Sequence, residues 1–243
     1  MPHFFIDKNN INDNKILIGD SENYRHIARA LRARTGEKLL LIDNEQIQYE
    51  TTISQITNSE IVCDIQKSYP SKRDLEFDLF LAQSPLRSDS QLTIMEKATE
   101  LGARGIYPIL TDNCAVKKEV ALSKVDKWQK VMYEASKQCE RAKIPTCYPV
   151  TSIQEVIKEN FDRIIVFGER STERSLKQYL SDSPIKKAEK ILVIIGPEGG
   201  FSQKEFSFFK ENNFPIISLG ELILKADTAV IVALGDIIYE YQG

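Results

Sequence analysis

Hydrophobic and polar positions follow two different rhythms along this chain. Over the first seventy positions, short β-rich runs at residues 4–6, 15–18, 38–42, 49–53 and 60–65 are separated by turn-forming clusters, a pattern that predicts a small β-barrel. The stretch 21–35 reads instead as a helix. Beyond Tyr69-Pro70-Ser71-Lys72-Arg73-Asp74, which reads as a linker, apolar runs at 75–82, 106–110, 163–167, 191–195 and 215–219 alternate with longer amphipathic stretches, including 91–101, 123–140 and 227–241. Strands alternating with helices predict an α/β domain whose largely parallel sheet is covered on both faces. The expected division is a β domain over 1–72 and an α/β domain over 73–243.

The run Ile191-Leu192-Val193-Ile194-Ile195 leads into Gly196-Pro197-Glu198-Gly199-Gly200 and then Phe201-Ser202-Gln203-Lys204-Glu205. This reads as a buried strand, a glycine loop and a helix whose start is marked by capping-box spacing between Ser202 and Glu205. Ligands in parallel sheets bind beyond the carboxyl ends of strands, and glycines there allow close backbone approach. Such a loop also serves simply to turn the chain. It carries neither a Gly-x-Gly-x-x-Gly fingerprint nor a P-loop, so a nucleoside-type ligand without a phosphate chain fits better than a nucleotide.

Composition narrows the chemistry. A formal net charge of −3 requires any nucleic-acid contact to use a local basic patch, and the helix at 21–35 supplies one by placing Arg25, Arg29 and Arg32 at i, i+4, i+7 spacing. Guanidinium forks match phosphate oxygens, although a solvated charged face is the plain alternative. With only His3 and His26, a histidine-pair metal site or a Ser-His-Asp relay is not expected. Cys63, Cys114, Cys139 and Cys147 show no Cys-x-x-Cys spacing, so reduced thiols and no metal are expected. No apolar run is long enough to span a bilayer and the start lacks signal-peptide character, which predicts a cytoplasmic protein.

Three separated stretches carry a resemblance. Glu96-Lys97-Ala98-Thr99-Glu100-Leu101-Gly102, Gln138-Cys139-Glu140-Arg141, and Gly196 to Gly200 followed by Leu219-Gly220 and Asp227-Thr228-Ala229 together resemble the RsmE family of 16S ribosomal RNA uridine N3-methyltransferases, in the SPOUT superfamily. Phe4-Phe5 and Ala30-Leu31-Arg32 with Gly36 look like that family's N-terminal RNA-binding domain. The resemblance implies a PUA-like β-barrel followed by a SPOUT-type α/β domain with a C-terminal deep trefoil knot, a topology that general rules of chain connection would not suggest. It implies S-adenosylmethionine as cofactor, held by Phe167, Gly168 and Glu169, by Gly196, Pro197, Glu198, Gly199 and Gly200, and by Leu219, Gly220, Ile223, Leu224, Thr228 and Ala229. It further implies a homodimer acting on 16S rRNA in the small ribosomal subunit.

Leu219, Ile223 and Leu224 could form an apolar slot for adenine. Lys225, Arg141 and Gln138 are the candidates for orienting a uracil and stabilising its anion, with Arg25, Arg29, Arg32 and Arg87 positioning phosphate. The plainer readings stay open: Gln138 and Arg141 as helix-end partners of neighbouring loops, Glu198 as a loop anchor, Asp227 as an N-cap, and His26 as a surface residue. The chain departs from the family pattern at Leu222, Lys225 and Asp227, and at Ser90 and Leu92 upstream. Those departures leave room for a divergent relative that modifies another RNA site, or binds RNA and cofactor without turnover. An ordinary doubly wound nucleotide enzyme is a third reading, weakened by the missing phosphate fingerprints.

Overall fold

The structure is a computed structural model that describes residues 3–168 and 174–242. It divides into two compact units: Met1–Asp74 together with Lys137–Lys143, and Leu75–Ser136 together with Ile144–Gly243. The return of a short helix end and loop to the first unit has no signature in the hydrophobic pattern.

The first unit contains β1 (His3–Phe5), β2 (Ile11–Asn12), β3 (Lys15–Ile18), α1 (Ser21–Tyr24), β4 (Lys38–Ile42), β5 (Ile47–Ile56) and β6 (Ile61–Pro70). These strands form one six-stranded sheet in the order β1-β4-β5-β6-β3-β2, with β1 and β4 parallel and the remaining pairs antiparallel. Alternation decides which residues are inside: Ile16 and Ile18 are fully buried, whereas Lys15 and Leu17 face out. They pack with Phe4, Leu39, Leu41, Ile53 and Ile61 into one core.

The single helix expected over 21–35 is not what forms. Asp20 caps α1 by accepting from the Asn23 N–H, and the chain then widens into a π-helical segment at Arg25–Ala30, closed by a Leu31 N–H bond to the His26 carbonyl of 2.9 Å. Arg32 follows at φ 52, in the left-handed region. The wider turn still leaves Arg25 and Arg29 one revolution apart on a shared face, but Arg32 lies beyond the π segment in the left-handed region and leaves that face. Arg25, Arg29 and Arg32 are all exposed, but they do not form the α-helical stripe that their spacing predicts. The segment keeps Ile27 fully buried in the β core, and that anchor lies outside any propensity argument.

The second unit runs β7 (Asp78–Gln83), α2 (Ser88–Glu100), β8 (Gly105–Pro108), α3 (Lys118–Leu122), α4 (Val125–Gln138), β9 (Thr146–Cys147), α5 (Ile153–Val156), β10 (Arg163–Phe167), α6 (Leu176–Asp182), β11 (Lys190–Ile195), α7 (Gln203–Glu211), β12 (Ile216–Ile217) and α8 (Ala226–Gln242). The sheet order is β12-β10-β11-β7-β8-β9, parallel throughout. Both faces are covered, as the unbroken apolar strands predict. Leu79, Leu81, Ile165, Ile191, Val193 and Ile195 pack into one core with α2 and α8 residues such as Ile94, Met95, Val230 and Leu234. Ala82, Val166, Leu192 and Ile194 pack on the other side with Ile153 and Val156 of α5 and Phe209 of α7. Each fully buried aliphatic of β11 contributes about 2 kcal/mol relative to exposure, which makes this strand the centre of the unit.

Candidate functional site

Phe167 at the end of β10 pairs with Ile195 of β11 on one side and with Ile217 of β12 on the other. Gly168, Gly196 and Ser218 therefore leave the sheet side by side, and the three loops singled out in the sequence start along one carboxyl edge. Gly168 is held there by its N–H bond to the Ile217 carbonyl at 3.1 Å. A Cβ on Gly168 would lie 2.9 Å from Ile216 Cγ2 and 3.0 Å from Phe206 Cε1, so its place is tightly enclosed. The Phe167 ring is itself in the core, which leaves that residue's backbone as its contribution to the edge. Glu169 lies outside the described residues.

The glycine loop closes as a β-turn, Gly200 N–H to Pro197 carbonyl at 2.9 Å, with Glu198 exposed at its tip. Gly200 at φ +66 and Gly220 at φ +125 occupy backbone conformations that suit glycine, and nothing lies within 4 Å of the place a Cβ would take. Ser218 pins the second of these turns: its hydroxyl donates to the Gly220 carbonyl at 2.8 Å and accepts the Gly220 N–H at 3.2 Å. Gly196 is different, being buried, with the Phe201 ring 3.3 Å from the place a Cβ would take.

The capping box forms as predicted: Ser202 accepts from the Glu205 N–H, and Glu205 Oε2 accepts from the Ser202 N–H at 2.8 Å. Glu205 has a second role that sequence spacing did not show. Its Oε1 accepts the Asp112 N–H at 3.0 Å, while the Ser202 hydroxyl donates to Asp112 Oδ2 at 2.5 Å. Next to it, Asn113 Nδ2 donates to the carbonyls of Gly199 and Gly200 at 3.2 and 3.1 Å. Gly199, expected to open toward a ligand, instead has Asn113 Cβ 3.2 Å from the place of its missing Cβ. Deeper in the same edge, Ser84 and Thr111 share a hydroxyl–hydroxyl bond of 2.8 Å, and the Ser84 N–H reaches the Ile195 carbonyl at 3.2 Å. These residues come from the β7 and β8 ends, more than eighty positions before the glycine loop, and no local motif announces them.

Among the apolar candidates, Leu219 packs against the core and Leu224 is half-buried, but Ile223 is 59% exposed and Leu222 82% exposed. The expected slot is therefore reduced within one chain to Leu219 and Leu224. Thr228 is exposed and Ala229 packs on the core from the first turn of α8. That helix starts at Ala226, so Asp227 lies in its first turn rather than capping it, and the carbonyl accepting the Ala229 N–H at 2.8 Å is that of Lys225.

The exposed Lys225 thus sits at the electropositive end of α8, and the exposed Arg87 is the N-cap of α2. Both helices follow parallel strands and begin at the same carboxyl edge. Arg141 is 4% exposed, and its guanidinium meets Asp74 Oδ1 at 3.1 Å. Gln138, exposed at the end of α4, groups with Arg141 in the first unit, whereas Lys225 belongs to the second.

Comparison with known proteins shows what the chain is similar to. The family model described as "RNA methyltransferase domain" matches residues 73–238, and the one described as "RNA methyltransferase PUA domain" matches residues 18–66. The chain is 25% identical to Ribosomal RNA small subunit methyltransferase E of Bacillus subtilis over 250 residues, covering 100% of this chain and 98% of that protein. It is 28% identical to Ribosomal RNA small subunit methyltransferase E 2 of Borreliella burgdorferi over 245 residues, covering 96% and 95%. Its fold matches that of a Legionella pneumophila methyltransferase solved with bound S-adenosylmethionine, at a TM-score of 0.85 and 25% identity over 98% of this chain and 97% of that one.

Proposed function

This chain belongs to the RNA methyltransferase family with an attached PUA domain, and on that premise we propose that it methylates N3 of one uridine in 16S rRNA of the small ribosomal subunit, using S-adenosylmethionine. The observation that carries the reading is the side-by-side exit of Gly168, Gly196 and Ser218 from three neighbouring parallel strands, at or beside the positions that the resemblance assigns to the cofactor. The cradle suits the cofactor: Gly200 and Gly220 leave open space beside bare backbone, and Leu219 and Leu224 offer apolar contact for a purine. Within the family's topology, the segment from β10 onward is the part threaded as a trefoil knot, which accords with β12 returning to the outer side of β10.

Bound there, S-adenosylmethionine supplies a methyl group already activated on a sulfonium. The protein's own work is to hold uracil N3 in line, exclude water and accommodate the charge left when N3 loses its proton. We assign that electrostatic role to Lys225. A cation at a helix N-terminus is disfavoured by about 0.3–1 kcal/mol, and an anionic base placed against it relieves that cost. Arg141, committed to Asp74, positions the segment that carries Gln138. Glu198, at the exposed tip of its turn, serves the loop's conformation. Arg25, Arg29, Arg32 and Arg87 contact phosphate, so replacing any one should lower the salt slope of RNA binding by about one. A homodimer accords with the exposed Leu222, Ile223, Ile231 and Tyr239 on and just before α8.

The test is methyl transfer from labelled S-adenosylmethionine into small subunits lacking uridine N3 methylation, with the product nucleoside identified after digestion. N3-methyluridine is expected. A different methylated nucleoside would move the substrate site, and no incorporation despite cofactor binding would reject the assigned chemistry.

A further inference from the structure

We propose that Asn113 is a positioning residue for the cofactor cradle, holding the glycine turn from the β8 side; this rests on the assignment of that turn to S-adenosylmethionine. Asn113 uses the two hydrogens of one amide nitrogen on two consecutive carbonyls, Gly199 at 3.2 Å and Gly200 at 3.1 Å. In a planar trans peptide the carbonyl and the following N–H point in opposite directions, so fixing both carbonyls toward Asn113 turns the amides of Gly200 and Phe201 away from it. The Gly200 amide closes the turn on Pro197, and its bond is thereby set by the clamp as well as by the turn.

The clamp also accounts for Gly199. The place of its Cβ is 3.2 Å from Asn113 Cβ, closer than most side chains tolerate, so a larger residue there would displace the carboxamide. Asn113 is in turn immobilised by its neighbour, since the Asp112 N–H is held by Glu205 Oε1 and the Asp112 carboxylate accepts from Ser202. The segment after β8 is therefore tied by two hydrogen bonds to the glycine turn and by two more to the cap of α7 that follows it, none of which crosses to the other compact unit. A turn already ordered before the ligand arrives loses less entropy on binding, and affinity gains accordingly.

Gln129 provides a matched control. It is also a carboxamide joining two backbone groups, donating to the Pro145 carbonyl at 3.0 Å and accepting the Cys147 N–H at 2.7 Å, in the same unit but away from the glycine turn. The experiment compares wild type with Asn113→Ala, Asn113→Leu and Gln129→Ala. S-adenosylmethionine affinity is read by calorimetry, kcat and KM on small subunits by methyl incorporation, and turn mobility by hydrogen exchange at residues 199–202 without ligand.

Both Asn113 variants are expected to weaken affinity about tenfold and raise exchange at the turn, with kcat at saturating cofactor largely kept. Gln129→Ala is expected to keep wild-type affinity even where it lowers the melting temperature. Unchanged affinity in both Asn113 variants, or an equal loss in Gln129→Ala, would overturn the positioning role. If wild type binds no S-adenosylmethionine, the cofactor reading itself falls and the proposal with it.

Discussion

Replacing Glu205 with alanine should cost far more stability than an exposed helix-start carboxylate ordinarily does. Its carboxylate is 7% exposed and accepts two backbone N–H groups, Ser202 at 2.8 Å and Asp112 at 3.0 Å, from segments far apart in the chain. A hydrogen bond to a charged group is worth about 1.5–3 kcal/mol, and the charge adds about 0.5 kcal/mol against the dipole of α7. Ser202 is half-buried and Asp112 exposed, so water recovers part of that loss once the carboxylate is gone. The expected destabilisation is about 3 kcal/mol, or about 6–12 °C in the melting temperature of a chain this long.

Ser202→Ala, which removes the reciprocal cap and the bond to Asp112, should cost about 1 kcal/mol, with the double variant losing less than the sum because the two side chains share one cap. Urea denaturation of the four proteins measures all of this. A Glu205→Ala loss under about 0.5 kcal/mol would refute the reasoning, because it would mean that neither N–H depends on the carboxylate.

Two further outcomes follow from single residues. Burial, reinforced by the Arg73 charge, pushes His3 from its ordinary 6.5 down to about 4, and neither ring nitrogen has a hydrogen-bond partner among the described residues. The unfolded chain therefore takes up the proton first. Stability is complete above about pH 6.5 and declines as pH falls toward 4, by about 2 kcal/mol once screening is allowed for; His3→Leu should flatten that slope in stability measured at pH 7 and 4.5. Gly168→Ala forces a methyl against Ile216 and Phe206 and should destabilise by about 1–2 kcal/mol in thermal unfolding, with Gly168→Val worse, whereas a neutral effect would show that those side chains move aside freely.

The residues of β10 and β11 are readable from the sequence because an aliphatic run covered on both faces can be little else. The cap at Ser202 and Glu205 is equally local, a matter of three-residue spacing within one turn. The helix at 21–35 marks where that logic ends. Propensity favours a continuous helix, but burying Ile27 against the β core selects a π segment and breaks the arginine stripe.

The same division runs through the site. Glycine positions, the basic residues before α2 and α8, and the resemblance to a methyltransferase family all lie in linear order along the chain. By itself the sequence determined the β-rich first part, the parallel sheet of the second and the glycine loops at that sheet's carboxyl edge, because each follows from periodicity or from short-range spacing. Only the tertiary structure decided that Asn113 bonds the glycine turn and Asp112 the cap of α7, that Glu205 serves two segments, that Arg141 pairs with Asp74 and that Ile223 faces outward. Those are contacts between residues tens of positions apart, and their partners are chosen by how the strands stack rather than by anything written beside them in the chain.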